Sequence, residues 1–295
     1  MITHRPNHKI RMKNYLSLIK FSHTIFAMPF AIIGFFLAQS TTGASFDIKK
    51  FILMLACMVF ARSAAMAFNR YLDRDTDAKN PRTKMREIPA GIVSAKSAIT
   101  FTILNSVLFI ATTWFINPIC FYLSPIALLV ILGYSYTKRF TALCHLVLGL
   151  GLSLAPIGAY LVVTGEFALL PVLFSLAVLT WVSGFDIIYA LQDEEFDRSE
   201  HLHSIPQWLG KKNALNFSSL LHLFSAIFII WAGIHGSFGW FYLLGAAGYC
   251  AMLIYQHSLV KPNDLSKVNI AFMTANGIAS VIFAAFFLAD TFIKF

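Results

Sequence analysis

Long stretches of this chain carry no Asp, Glu, Lys or Arg, and they are apolar nearly throughout rather than on one face. Such intervals occupy 21–46, 51–69 (interrupted by Arg62), 97–137, 140–165, 167–185, 213–260 and 268–289. A helix needs ~20 residues to cross the hydrocarbon of a bilayer. The intervals 97–137 and 213–260 are therefore long enough for two helices each, and the others for one, which predicts nine transmembrane helices. Helices are expected because lipid offers no partner to an unpaired backbone group. The fold class expected is an all-α integral membrane protein: a bundle of nine transmembrane helices forming one domain over 1–295.

Composition narrows the picture. Hydrophobic residues make up 58% of the 295 positions, with 29 Phe, and charged residues only 13%, against about 25% in soluble domains. A soluble enzyme, a disordered chain and a disulfide scaffold all fit this poorly. The net charge of +9 would suggest nucleic acid in a soluble protein. Here basic residues are expected on the cytoplasmic flanks of spans instead, and no nucleic-acid partner is expected. With the N-terminus in the cytoplasm, nineteen Lys and Arg fall on that side, beginning with Arg5, Lys9, Arg11, Lys13 and Lys20. Only Lys49, Lys50 and Lys294 fall outside, which agrees with an odd number of helices. A basic leader before an apolar run also suits a signal peptide, but 26 residues is long for a cleaved segment and right for a span. A multi-pass protein of the cell's inner (plasma) membrane is expected. Cys57, Cys120, Cys144 and Cys250 each stand alone in apolar runs, so they read as small buried hydrophobes.

Ten of the 14 acids fall in two places, Asp73, Asp75, Asp77 and Glu87, then Asp186, Asp193, Glu194, Glu195, Asp197 and Glu200. Both groups lie at the cytoplasmic ends of even-numbered helices and so share one face of the membrane. Ionisable groups at membrane depth are expensive and usually functional. Asn69, Asp73 and Asp77 follow one another at i, i+4 and i+8, and Asp193 and Asp197 repeat the step, with Asp186 nearly in line. On a helix such residues share a face, and their like charges repel. A cation should offset that. Oxygen donors without Cys or clustered His point to a hard ion such as Mg²⁺, which held this way commonly also holds a phosphate. Asp75, Glu87, Glu194, Glu195 and Glu200 read instead as a solvated face paired with loop cations.

The same face carries cations suited to a diphosphate: Arg82, Lys138 and Arg198. Tyr134 and Lys138 are again four apart, and Arg62 lies two turns before Asn69, inside a span. Most of the Phe residues read as lipid-facing or packing bulk, although some rings could line a tunnel for an apolar tail. His201 and His203 read as structural.

These residues resemble the signatures of the UbiA-type membrane prenyltransferases. The run from Asn69 through Asp73 to Asp77, followed by Asn80, Pro81, Arg82 and Thr83, is similar to the first signature. Tyr134 to Lys138 is similar to a middle YxxxK element, and Asp186, Tyr189, Gln192, Asp193 and Asp197 to the second acidic signature. The resemblance covers essentially the whole chain, with the first motif at 69–77 and the second at 186–197. It implies Mg²⁺-dependent transfer of a polyprenyl group from polyprenyl diphosphate to an aromatic acid acceptor, in the lipid bilayer, with the active site on the cytoplasmic side. By motif, Asn69, Asp73, Asp77, Asp193 and Asp197 would be the catalytic, metal-holding residues. Lys138, Arg82 and Arg198 would take phosphate charge, and Arg62, Tyr134, Asp186, Tyr189 and Gln192 would form the acceptor side.

The segment from Tyr189 to Asp193 resembles the 4-hydroxybenzoate polyprenyltransferases of ubiquinone and menaquinone biosynthesis. Arg70 and the run Arg86, Glu87, Ile88, Pro89 depart from that group. They resemble a branch acting on 1,4-dihydroxy-6-naphthoate in the futalosine route to menaquinone. A secondary transporter is the non-enzyme alternative, but transporter charges tend toward the midplane between broken helices. The sequence sets neither tail length nor oligomeric state.

Overall fold

The computed structural model describes residues 12–19 and 26–293. Arg5, Lys9, Arg11, Lys20, Lys294 and the start of the first apolar interval lie outside the described residues, and so does the expectation for a leader segment.

Among the described residues the intervals 97–137 and 213–260 are each shared by two helices of fifteen residues or more, and each of the other apolar intervals by one. The elements in order are α1 (Met12–Leu18), α2 (Met28–Thr42), α3 (Ile48–Leu72), α4 (Arg74–Lys79), α5 (Ala95–Trp114), α6 (Pro118–Thr137), α7 (Cys144–Thr164), α8 (Leu169–Ala190), α9 (Glu194–Ser199), α10 (Ile205–His235), α11 (Trp240–Leu259) and α12 (Asn276–Phe292). Seven helical stretches are long and apolar enough to cross a membrane, as expected of an integral membrane protein. The apolar α2 has only 15 residues. The 20-residue α11 is not among the seven, and Gly245, Gly248, Gln256, His257 and Ser258 dilute its apolar character. No strand is present among the described residues.

Capping side chains set the helix starts. Asp47 accepts from the Lys49 and Lys50 N–H groups at the start of α3 (2.9 and 3.1 Å), and Ser94 accepts from Ser97 N–H at α5 (3.0 Å). Asn117 accepts from Cys120 N–H at 2.9 Å and precedes Pro118, which splits the interval 97–137 into α5 and α6. These side chains satisfy N–H groups that a helix start leaves open. α10 begins well before the expected residue 213, at Ile205, because Ser204 caps it and Pro206 suits its first turn. Its backbone breaks at Gly210, where φ is +74°, a conformation that glycine adopts without strain.

α8 runs through the core, packed between α7 and α10. Phe30, Trp181, Tyr249 and Phe283 stack around it with ring centroids 5.4–6.5 Å apart. Phe26, Phe174, Phe185, Phe272 and Phe287 belong to the same buried cluster, so seven Phe serve packing here. Trp181 Nε1 donates to Asn276 Oδ1 at 2.9 Å, so the buried indole keeps a partner. Before α12 the chain makes one widened turn, Ile270–Ala275. Side-chain amides of Gln256 and Asn276 cover its carbonyls at Ala271 and Phe272 (2.9–3.1 Å). There Phe272 meets Tyr189, ring centroids 4.2 Å apart.

α2 and α7 approach very closely. A Cβ at Gly34 would lie 2.1 Å from the Pro156 carbonyl oxygen. Small residues commonly permit such contact between membrane helices. Gly34→Val should overpack this crossing at a cost of roughly 1–3 kcal/mol. The measurement is thermal unfolding in detergent; an unchanged melting temperature would mean that the two helices do not meet here.

Candidate active site

The two acidic rows are built alike. α3 ends at Asp73 (φ −89°, ψ 3°), and the six-residue α4 follows, carrying Asp77. α8 passes through a 3₁₀ turn, Leu191–Asp193, to Asp193 (φ −105°, ψ 4°), and the six-residue α9 follows, carrying Asp197. The expected unbroken i, i+4 ladders are therefore corrected: each row is broken at its aspartate. One backbone bond still spans each step of the first row, Asp73 N–H to Asn69 O at 2.9 Å and Asp77 N–H to Asp73 O at 2.7 Å.

Both rows line one cavity of ≈ 740 Å³ at one end of the bundle. Each carboxylate has its own counter-charge, and one of the pairs, Arg82 with Asp193, joins the two motifs. Arg139 meets Asp73 at 3.1 Å, and Arg86 meets both oxygens of Asp77 at 2.7 and 2.9 Å. Arg82 forks onto Asp193, with Nε at 3.0 Å from Oδ1 and Nη2 on Oδ2, and Asn80 adds a hydrogen bond to Oδ1 at 3.0 Å. Lys138 Nζ lies 2.7 Å from Asp197 Oδ1. The like-charge repulsion read from the sequence is thus offset by the protein's own cations. Lys79 ties α4 to α9 through Glu200 at 2.6 Å. The backbone N–H of His203 holds the Lys138 carbonyl at 2.8 Å.

Burial pushes the Asp73 carboxyl above the ordinary carboxylate range, and Arg139 only partly offsets it. Burial also disfavours charge on Arg82 and Lys138. Their carboxylate partners Asp193 and Asp197 outweigh it, so both cations hold their protons more tightly than usual.

A second, apolar cavity of ≈ 400 Å³ adjoins the first. Arg62, Met66, Tyr134, Leu148 and Leu152 line both, so the two are continuous at Arg62 and Tyr134. Its other walls come from α3, α6 and α7, including Met58, Ala127, Val130 and Gly158. Two further wall residues, Ile126 and Phe167, are 59% and 58% exposed, so this groove opens on the flank of the bundle. Arg62 stands at the junction. Its Nε is buried without a partner, and no carboxylate pairs with it among the described residues.

Asn69, Asp73, Asp77, Asp193, Asp197, Arg82, Lys138, Arg62, Tyr134, Asp186 and Tyr189 all line the polar cavity. Gln192 and Arg198 do not. Gln192 donates to the Tyr189 carbonyl at 3.1 Å, and Arg198 pairs with Glu194 at 3.0 Å. Asp75 pairs with Arg74 at the surface, as a solvated face should, whereas Glu194, paired with Arg198, has a side chain only 12% exposed. Glu87 departs from that expectation: it is 6% exposed and accepts from Ser17 Oγ at 2.5 Å. The sequence reading gave no site role to Arg86, Arg139, Asn80 or His145. The last hydrogen-bonds Asp186 across 2.7 Å. The four cysteines are free, and only Cys144 is fully buried.

The donor set suits a hard divalent cation. Asp197 is 0% exposed, and its one side-chain partner among the described residues is Lys138, Nζ 2.7 Å from Oδ1, which leaves Oδ2 open. A buried carboxylate with open lone pairs is costly, and oxygen ligands are what Mg²⁺ takes. Among the described residues no three His, Cys, Asp or Glu side chains converge on one point. The carboxylates face their counter-cations instead.

An acid-lined, cation-rimmed cavity that opens into an apolar groove between membrane helices defines a site for an amphiphile with a polyanionic head. The model of the UbiA prenyltransferase family matches residues 27–286. A 4-hydroxybenzoate octaprenyltransferase from Tolumonas auensis is 32% identical over 251 residues, 83% of this chain and 87% of that protein. The apo structure of a UbiA homolog from Aeropyrum pernix K1 superposes with a TM-score of 0.82 at 33% identity, covering 91% of this chain and 98% of that one. A UbiA homolog from Archaeoglobus fulgidus bound to GPP and Mg²⁺ shares the fold, with a TM-score of 0.72 at 20% identity over 95% of this chain and 100% of that one. The chain belongs to the UbiA prenyltransferase family. It is an enzyme that transfers prenyl groups, which sets the transporter alternative aside.

Proposed function

We propose that this enzyme transfers a polyprenyl group from polyprenyl diphosphate to an aromatic acid of the 4-hydroxybenzoate type, with Mg²⁺, in ubiquinone or menaquinone biosynthesis. The observation that carries the reading is Arg62. A guanidinium without a counter-charge, where the polar cavity meets the apolar groove, calls for an anion that arrives with the substrate. The carboxylate of an aromatic acid supplies it, and the fork of Arg matches that group.

Breaking the allylic C–O bond leaves negative charge on diphosphate and positive charge on carbon. Lys138 and Arg82, pointing into the cavity beside the acidic rows, take charge on phosphate oxygens. Asn69, Asp73, Asp77, Asp193 and Asp197 would hold Mg²⁺, which when bound neutralises charge on the leaving group. Such fixed charges act most strongly where water is excluded. The rings of Phe185, Tyr189 and Phe272 line the same cavity and would keep water from capturing the carbocation. Tyr189 also holds Arg82, its hydroxyl 3.0 Å from Nη1. Arg62 and Tyr134 place the acceptor, and the groove takes the prenyl tail.

The reading places the chain as one domain in the plasma membrane with nine helices crossing, the N-terminus and the site on the cytoplasmic side. From Arg70 onward, fourteen Lys and Arg among the described residues lie in or beside the connections at the site's end of the bundle, against Lys49 and Lys50 at the other end, the bias that marks a cytoplasmic face. A naphthoate acceptor is the second reading. Arg70 and Glu87, both departures from the hydroxybenzoate group, are buried in the cavity wall, and 1,4-dihydroxy-6-naphthoate carries the same carboxylate and ring hydroxyl. The test is incubation of membranes holding the enzyme with labelled polyprenyl diphosphate, Mg²⁺ and each aromatic acid in turn. Labelled prenylated acid is expected with one of the two and none without Mg²⁺; no product with any aromatic acid would overturn the proposal.

A further inference from the structure

His145 and Asp186 form a pair outside the acidic rows. Nδ1 of His145 lies 2.7 Å from Asp186 Oδ2. The histidine is 4% exposed, at the first turn of α7, and its Nε2 is buried without a partner. At Nδ1 the ring holds Asp186, beside the neighbouring Cys144 thiol. Ser183 on α8 donates to the His145 carbonyl at 3.1 Å, which fixes the first turn of α7 on α8. His145, Leu148 and Leu152 share one face of α7 and line the cavity together. Asp186 enters the same cavity from α8, within electrostatic reach of Tyr134.

We infer that His145 is a positioning residue for Asp186, and that Asp186 receives the proton of the acceptor's ring hydroxyl during prenyl transfer. This rests on the proposed aromatic acceptor. An ionised carboxylate has no proton to give, so Nδ1–H is the donor and occupies Oδ2. Oδ1 has no protein partner in the hydrogen-bond network and is left for the acceptor hydroxyl. As that O–H gives its proton to Oδ1, electron density moves into the ring. The carbon beside the hydroxyl then bonds to C1 of the prenyl group, and the C–O bond to diphosphate breaks with its electron pair leaving on diphosphate. The ring then loses its C–H proton to the released diphosphate or water, and Asp186 returns the first proton to the ring oxygen. One proton is released in all. Without its histidine, Asp186 could turn or pair elsewhere, and its readiness for the acceptor would be lost while the diphosphate end stays intact.

The experiment compares wild type with His145→Leu and His145→Asn, full-length and in membranes, with the aromatic acid that supports turnover and with a ring-chlorinated version whose hydroxyl is more acidic. His145→Leu should lower kcat/KM for the ordinary acceptor by about 10²-fold, in the range of a misplaced proton acceptor, with KM for polyprenyl diphosphate unchanged. The loss should be clearly smaller for the chlorinated acceptor, which needs less help in giving up its proton. His145→Asn, whose amide nitrogen replaces Nδ1, should recover most of the rate. Equal losses on the two acceptors, no rescue by Asn, or full activity in the Leu variant would each overturn the inference. If the Leu variant does not fold, as read by its melting temperature, Asp186→Asn is put through the same comparison with the same expectations. Should wild type prenylate no aromatic acid, the proposed function itself fails and this inference with it. A variant that behaves as wild type while wild type makes product sinks the inference alone.

Discussion

Asp197→Asn should give a folded protein whose prenyl transfer is slower by about 10³-fold or more, in line with the removal of charge stabilisation from a closed site. The substitution keeps the size of the side chain and removes its charge. Asp197 is wholly buried at the end of the second row, and Lys138 is its ion partner. In the variant Lys138 loses that partner, and one oxygen of the donor set becomes a weak, neutral ligand. Half-saturation by Mg²⁺ should therefore rise steeply, while binding of the prenyl tail changes little. Breaking a buried pair costs roughly 3–5 kcal/mol when one charge is left alone, so the melting temperature is read beside the rate. Lys138→Met with Asp197→Asn should restore stability without restoring turnover. Full turnover in Asp197→Asn would remove this residue from the catalytic set.

Arg62→Leu should have the second largest effect, confined to the other substrate. The loss expected is about 10²-fold in kcat/KM for the aromatic acid, corresponding to ~2–3 kcal/mol for a charge-assisted contact. KM for polyprenyl diphosphate should stay the same. A double comparison isolates the interaction: an acceptor without its carboxylate should be poor with wild type and no poorer with Arg62→Leu. Arg62→Lys should restore only part of the rate, because a point charge does not reproduce the fork. The variant should also be more stable in detergent than wild type, since Arg62 Nε is buried without a partner, and an apolar side chain of similar bulk avoids that cost. A Leu variant that loses donor and acceptor binding alike would show that Arg62 serves the diphosphate end instead.

Much of this architecture is legible in the sequence. Charge-free length locates the helices, since nothing else satisfies both lipid and backbone. The boundary inside 97–137 is legible only locally, as Asn117 followed by Pro118. The 3₁₀ turn before Asp193 is not legible, because a four-residue spacing looks the same whether the helix runs on or breaks. The pairs Asp73–Arg139 and Asp77–Arg86 were hidden for a different reason. Cytoplasmic flanks carry so many Lys and Arg that any one of them is explained without a partner. His145 did leave a signal: a single ionisable ring where an apolar span begins. Its partner is 41 positions away, a distance that periodicity does not bridge.

The flank opening beside Ile126 and Phe167 bears on how the enzyme treats isoprenoids of different size. A pocket with a floor acts as a ruler, because the last unit that fits sets the limit. On the proposed function, the far units of the donor would extend past the helices among the acyl chains of the surrounding lipid, where each added unit meets the same medium. Discrimination between an eight-unit and a ten-unit donor should therefore be slight, and the length found in the cell's quinone would be decided upstream, by whatever makes the diphosphate.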